Sequence, residues 1–208
     1  MAAKRTHITL CLIQCGQTTW DVEHRVHGST DLPLSETGRQ ALLDELGRPH
    51  VANATVIHHP NDEAATDTAH LAAERWGAKT KVVDELADPN LGLLEGLSAK
   101  DFEDRFPSRH RQWEEDPMSL TPPEGEQLAV AAQRIFQAVA KVVKRSRGAE
   151  VAVVLHDLGA GMLRCWLADR PLGDLWQMVN DRPHFERYVI PMSMLTELEN
   201  AVEVKEGE

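Results

Sequence analysis

The chain reads as an α/β protein, a three-layer α/β/α sandwich with a mostly parallel sheet covered by helices on both faces. Three observations predict it. Short runs rich in β-branched and aliphatic residues recur along the chain and end at glycine, proline or histidine; longer amphipathic segments stand between them; polar, chemically versatile residues collect where the runs end.

Residues 6–14 (THITLCLIQ) form the first buried strand, stopped by Gly16. A loop through Trp20, Gly28 and Pro33 leads to Ser35, the N-cap of a helix carrying Leu42, Leu43 and Leu46 and closed by Gly47 and Pro49. Residues 52–58 (ANATVIH) make a second strand, broken by Pro60, and residues 62–76 a second helix ended by Gly77. A short third strand follows at 79–84 (KTKVVD). Residues 86–97 hold Pro89, Gly92 and Gly96 and so form a long structured loop. The charged stretch 98–117, around Phe102, Phe106 and Trp113, reads as a helix whose end at Trp113 is solvated. With Pro117, Pro122 and Pro123 as a hinge, residues 98–123 are expected to be a lid. Residues 124–144 are amphipathic, with Leu128, Ala131, Ile135, Ala138 and Val142 on one stripe. The most apolar strand, 150–155 (EVAVVL), runs into His156. A helix resumes at 162–168; Trp166 and Trp176 are assigned to it, in structural roles behind His156. Residues 190–198 (IPMSMLTEL) alternate apolar with polar and predict a last strand near one sheet edge. The acidic tail after Asn200 is expected to fray.

At 208 residues the chain is sized for one domain, and 42% hydrophobic with 26% charged residues excludes a disordered or low-complexity protein. A net charge of −11 repels polyanions, which argues against nucleic acid and anionic membranes as partners. The apolar stretch 8–13 is too short to span a bilayer or to serve as a signal core. Three cysteines, Cys11, Cys15 and Cys165, cannot all pair, and with no export signal the expected location is cytoplasmic. On one extended strand Cys11 and Cys15 lie roughly 13 Å apart, beyond disulfide reach.

In parallel sheets of this kind ligands sit at the carboxyl ends of the strands. Those ends carry Gln14-Cys15-Gly16, His58-His59-Pro60, the Asp88 loop and His156-Asp157. A site is expected there.

The stretch from Leu12 to Arg39 (LIQCGQTTWDVEHRVHGSTDLPLSETGR), with Gly16, Thr19, Trp20, Gly28, Asp31, Leu34, Ser35, Gly38 and Arg39 in order and spacing, resembles the histidine phosphatase superfamily, the phosphoglycerate-mutase-like proteins. Thr68-Ala69, Gly92, Glu95-Gly96, Gly125-Glu126 and the strand ending at His156 extend the resemblance to about Leu175. It implies a phosphoglycerate-mutase-like sandwich and phosphoryl transfer through a phosphorylated histidine. In the family an arginine beside that histidine, a second arginine on the second helix, an asparagine and a second histidine hold the anionic oxygens. A carboxylic acid protonates the leaving oxygen. Cations are needed because negative charge spreads over the equatorial oxygens in the transition state.

Carried over residue by residue, most of these parts are replaced. Gln14-Cys15-Gly16 stands where the family has Arg-His-Gly, and Asp21 stands at the asparagine position. The arginine position of the second helix falls on Glu63 or Ala64. The acid position is Asp88, and the second histidine is kept as His156. One charge pair at ~4 Å is worth about 4 kcal/mol at an effective dielectric of ~20, so exchanging attractions for repulsions disfavours a phosphate dianion. Arg25, Arg105, Arg109 and Arg111 are the cations that could compensate.

Three functions follow. The first is a family member whose phosphohistidine site is degenerate, binding a small-molecule or protein ligand without turnover. The second is an active phosphomonoester hydrolase using Cys15 or His156 with Asp88 as acid; against it, Asp21 and Asp88 are the neighbours expected to raise the Cys15 thiol pKa. The third is a metal site drawing on Cys15, His58 or His59, and His156, with Asp21 and Asp88, although no metal-ligand spacing motif is present. No cofactor is expected.

Overall fold

Alternation along the first strand sets the two faces of the sheet. In β1 (His7–Gln14), Leu10 and Leu12 enter one buried cluster while Cys11 and Ile13 enter the other, which Cys15 continues just past the strand. The computed structural model describes residues 6–48, 52–146, 150–179 and 183–201; the tail beyond 201, expected to fray, lies outside them.

After β1 come α1 (Thr19–Val22) and α2 (Glu36–Leu46), then β2 (Val56–His59), α3 (Glu63–Trp76) and β3 (Lys79–Val82). Ser35 caps α2 by accepting from the Gly38 N–H, and Asp62 caps α3 by accepting from the Ala65 N–H. Gly77, at φ 66°, closes α3 in the left-handed region that glycine enters without penalty. The long loop contains two 3₁₀ turns, Asp84–Leu86 and Gly92–Leu94. Next come α4 (Ala99–Arg105), α5 (Pro107–Glu115), α6 (Leu128–Arg145), β4 (Glu150–Leu155), α7 (Asp157–Leu167), α8 (Leu175–Val179), β5 (Phe185–Pro191) and α9 (Met194–Glu199).

The five strands lie in the order β3-β2-β4-β1-β5, all parallel except β5, which runs antiparallel to β1 at the edge. Helices α2 and α3 cover one face with the cluster of Ile13, Ile57, Ala69 and Val154. Helices α6, α7 and α9 cover the other with Leu12, Phe136, Val153 and Leu198. The stripe expected on residues 124–144 is buried on α6, from Leu128 to Val142. An α/β sandwich on a mostly parallel sheet is therefore the observed fold.

Several boundaries differ from expectation. Strand β2 keeps only the last three residues of the expected 52–58 and extends to His59, and β3 ends at Val82 because Asp84 opens a 3₁₀ turn. The stretch 98–117 is two helices, because Pro107 cannot donate to the turn before it and instead starts α5. Helix α6 begins at Leu128, after the turn that follows Pro122 and Pro123. Helix α7 starts at Asp157 and not at 162, with His156 as its N-cap. The final strand lies at 185–191, and most of the alternating segment 190–198 is the short helix α9, whose Leu195 and Leu198 pack into the core.

Candidate functional site

The same alternation distributes the residues at the end of β1. Gln14 faces α7, donating Nε2–H to Asp157 Oδ1 at 2.7 Å and accepting from Arg164 Nη2 at 2.6 Å. Arg164 is buried, and its Nε also reaches Glu186 Oε2 at 2.5 Å. Cys15 faces α3 instead, 4% exposed, with Sγ 3.6 Å from Thr68 Oγ1. That hydroxyl also accepts from the Gly16 N–H at 3.1 Å.

His156, 7% exposed at the end of β4, lies between the two layers. Its Nε2 is 2.9 Å from Oδ1 of Asp62, the residue that caps α3, and the Cys15 thiol lies beside it. Burial disfavours the imidazolium, but its interactions with the Cys15 sulfur and the Asp62 carboxylate outweigh that penalty and hold the His156 pKa well above its usual range. Burial of Asp62 is likewise outweighed by its bond to His156, so its carboxyl titrates below the normal value. Burial raises the Cys15 thiol pKa, with Asp62 adding to the rise and His156 opposing it. The expected culprits, Asp21 and Asp88, are not among the neighbours that raise it.

Asp21 turns elsewhere. Its Oδ2 accepts from the Thr18 N–H at 2.7 Å, and its Oδ1 is 3.3 Å from His27 Nδ1. The His27 ring stands edge-on to His156 at 5.4 Å between centroids. Burial opposes ionisation of both Asp21 and His27; their mutual bond wins, lowering the one pKa and raising the other. Asp157 is pushed up by burial and then by Asp21.

Asp88 is 5% exposed and accepts from the Gly159 N–H at 2.8 Å. Burial pushes its pKa up to about 6. Its loop is clamped by two ionic side chains. Arg134, paired with Glu126 at 2.7 Å, donates to the Ala87 carbonyl at 2.8 Å. Glu95 accepts from the Leu91 and Ser29 N–H groups at 2.8 and 2.9 Å and from the Thr30 hydroxyl, which ties the 28–31 loop to the Asp88 loop. A Cβ on Gly28 would strike Glu95, so this position admits only glycine.

Two cavities meet at His156 and Asp88. One, about 220 Å³, is bordered by Gly28, Ser29, Thr30, Asp31, Asn61, Asp62 and Asp84. The other, about 140 Å³, is bordered by Asp21, Arg25, His27, Trp113, Asp157 and Trp176. The end of α5 is solvated at Glu114, Glu115 and Asp116, but Trp113 itself is half-buried and borders the site, as does Trp176, from α8 and not the helix of Trp166.

Of the residues expected at the site, Cys15, Gln14, Asp21, Asp88 and His156 gather here; the others do not. Glu63 is exposed and its N–H donates to Asp31 at 2.7 Å, while Ala64 is fully buried. His58 points to the opposite face, bordering a groove with Lys81, Lys141 and Arg145, and lies 3.4 Å by Nδ1 from the Ala152 carbonyl. His59 is buried and held by the Pro60 carbonyl at 2.8 Å. The metal set of Cys15, His58 or His59, and His156 is thus not brought together, and among the described residues no trio of His, Cys, Asp and Glu could hold a metal ion. Of the four arginines, Arg25 alone borders these cavities, and it is committed to Glu23 at 2.6 Å and the Gly96 carbonyl at 2.8 Å. Sequence reasoning missed Asp62, His27 and Arg164. Asp62 was legible as a helix cap but not as the partner of His156.

Known proteins give the arrangement its context. The sequence profile of the Histidine phosphatase superfamily (branch 1) matches residues 10–189. A bifunctional protein of Mycobacterium tuberculosis is 30% identical over 85% of this chain, which spans 48% of that relative. Phosphoserine phosphatase 1 of Hydrogenobacter thermophilus is 25% identical, covering 86% of this chain and 84% of its own. Among solved structures, Bacillus stearothermophilus YhfR superposes with a TM-score of 0.74 at 28% identity, over 81% of this chain and 84% of that one. A mycobacterial glucosyl-3-phosphoglycerate phosphatase, solved with VO3, gives 0.69 at 26% over 82% and 86%. With the profile covering most of the chain and the fold agreeing, this protein belongs to the histidine phosphatase superfamily.

Proposed function

We propose that this protein is a binding or regulatory member of its family that has given up phosphohistidine chemistry, and that its cleft rejects phosphate dianions. The observation that carries this reading is the 2.9 Å contact between His156 and Asp62. The retained histidine is already neutralised by a carboxylate on the helix whose family counterpart carries a phosphate-holding arginine. Around it the two cavities present Asp21, Asp31, Asp62, Asp84, Asp88 and Asp157 against Arg25, His27 and His156. Each of those cations has an acidic partner. A dianion entering here meets repulsion on the order of several kcal/mol.

The α4–α5 hairpin serves as the cover of this cleft through Trp113. The expected setting is cytoplasmic; no described helix is long and apolar enough to cross a membrane, and the three described cysteines are free and buried. The test combines p-nitrophenyl phosphate turnover, phosphoprotein labelling and orthovanadate binding. The expected result is none of the three. Turnover near one per second, lost in Cys15→Ser or His156→Ala, would refute the reading.

That outcome would favour a second reading, hydrolysis by Cys15 or His156 with Asp88 as proton donor. What supports it is the Cys15, His156, Asp62 line together with an Asp88 pKa of about 6, suited to a general acid near neutrality. The buried, high-pKa thiol stands against it.

A further inference from the structure

The geometry points to a site for a small organic ammonium ion in the cavity between the two tryptophans and Asp157, and we propose it as the ligand class of this cleft. The proposal rests on the reading that the cleft rejects phosphate. Trp113 and Trp176 border one side, with ring centroids 4.5 Å apart and planes at 47°. The Trp176 Nε1–H donates to the Trp113 carbonyl at 2.6 Å, so that indole's polar end is satisfied within the wall and the ring is held in place.

The carboxylates that line the same cavity are under-compensated. His27 is committed to Asp21 at 3.3 Å, His156 to Asp62 at 2.9 Å and Arg25 to Glu23 at 2.6 Å. Among the described residues, Asp157 is met directly only by the neutral amide of Gln14, since Arg164 spends its bonds on Glu186, Gln14 and the Met178 carbonyl. Asp88, 5% exposed, uses Oδ1 for the Gly159 N–H. Among the described residues no donor reaches Oδ2, and no buried side-chain oxygen lacks a partner, so Oδ2 opens onto the space of the two cavities that meet at Asp88. An open oxygen on this otherwise buried side chain is thus left for a positive or donating group.

A lining that combines indole rings with carboxylates is the chemistry that recognises ammonium groups, through the ring quadrupole and Coulomb attraction. At ~30 Å³ for each water-sized group, the cavity of about 140 Å³ takes a tetramethylammonium-like head of about five heavy atoms.

The test is titration of the whole protein with tetramethylammonium chloride, followed by tryptophan fluorescence and isothermal calorimetry. The uncharged tert-butanol and sodium chloride at matched ionic strength are controls. Saturable tetramethylammonium binding is expected, at least tenfold tighter than tert-butanol and at least tenfold weakened in Asp157→Asn. The isostere comparison on the unaltered protein keeps the test decisive if that variant fails to fold. No saturable binding, equal binding of tert-butanol, or an unaffected folded Asp157→Asn variant overturns the cation site. Failure to bind either tetramethylammonium or orthovanadate would sink this inference and leave the phosphate reading standing; tight orthovanadate binding would sink both.

Discussion

Replacing Asp88 by asparagine should stabilise the protein at neutral and alkaline pH. Burial pushes the folded-state pKa of this acid from 3.8 up to about 6, so above pH 6 the fold holds a charge that the unfolded chain carries more easily. A rise of about 2 units corresponds to about 3 kcal/mol at 1.36 kcal/mol per unit. The sign runs against the usual carboxylate case. With the folded pKa above the unfolded one, the penalty is absent below about pH 4, grows between pH 4 and 6, and is complete above that. The substituted amide keeps an oxygen to accept the Gly159 N–H bond, now 2.8 Å, and carries no charge. Asp88→Asn should therefore gain about 3 kcal/mol at pH 8 and nothing at pH 4. At ~2–4 °C per kcal/mol for a chain of this size, the melting temperature should rise about 6–12 °C at pH 8. Urea denaturation of both proteins from pH 4 to 8 measures it. A variant less stable than the parent at pH 8 would mean that the carboxylate is compensated, and the account of a frustrated acid would be wrong.

Thiol reagents at pH 7.5 should leave the folded protein untouched and titrate all three cysteines only in denaturant, because burial lifts Cys11 to about 12 and also raises Cys15 and Cys165; one fast equivalent would contradict this. Asp62→Ala should cost ~1 kcal/mol at every pH through the lost α3 cap. It should also remove an ion-pair contribution that is complete between about pH 4, where Asp62 is ionised, and about pH 6.5, and that fades as pH rises through the raised His156 pKa. An imidazole proton resonance of His156 titrating near its ordinary value in the variant is the check. Arg164→Met should cost about 2–3 kcal/mol by taking its ionic partner from a half-buried Glu186 that keeps only the Tyr188 hydroxyl, visible as a lowered unfolding midpoint. A midpoint within error of the parent would refute the pairing.

Much of this molecule was readable from residue order. Ser35 before a leucine stripe and Gly77 after another marked helix ends, since local hydrogen bonding and backbone freedom decide those positions. The runs of residues 6–14 and 150–155 became the two central strands because they are apolar on both faces. Where local pattern misled, a tertiary contact had decided. Residues 190–198 alternate like a strand, yet α9 forms there because Leu195 and Leu198 find the α6 side of the core. Period-two alternation also holds the reason that adjacent histidines diverge: His58 and His59 must face opposite layers, so the two could not join one site.

That Gln14-Cys15 places no fixed cation at the end of the first strand was legible at once, because residue type alone fixes whether a position can carry a cation. The partners that meet there were not. The pairing of His156 with Asp62, 94 positions apart, and of Gln14 with Arg164, 150 apart, exists only because β1, β4 and the start of α3 converge at one end of the sheet. Sequence thus determined the fold class and the chemical character of each position. Tertiary structure decided which charges neutralise one another, since electrostatic energy depends on distance and burial, and neither is written in the order of residues.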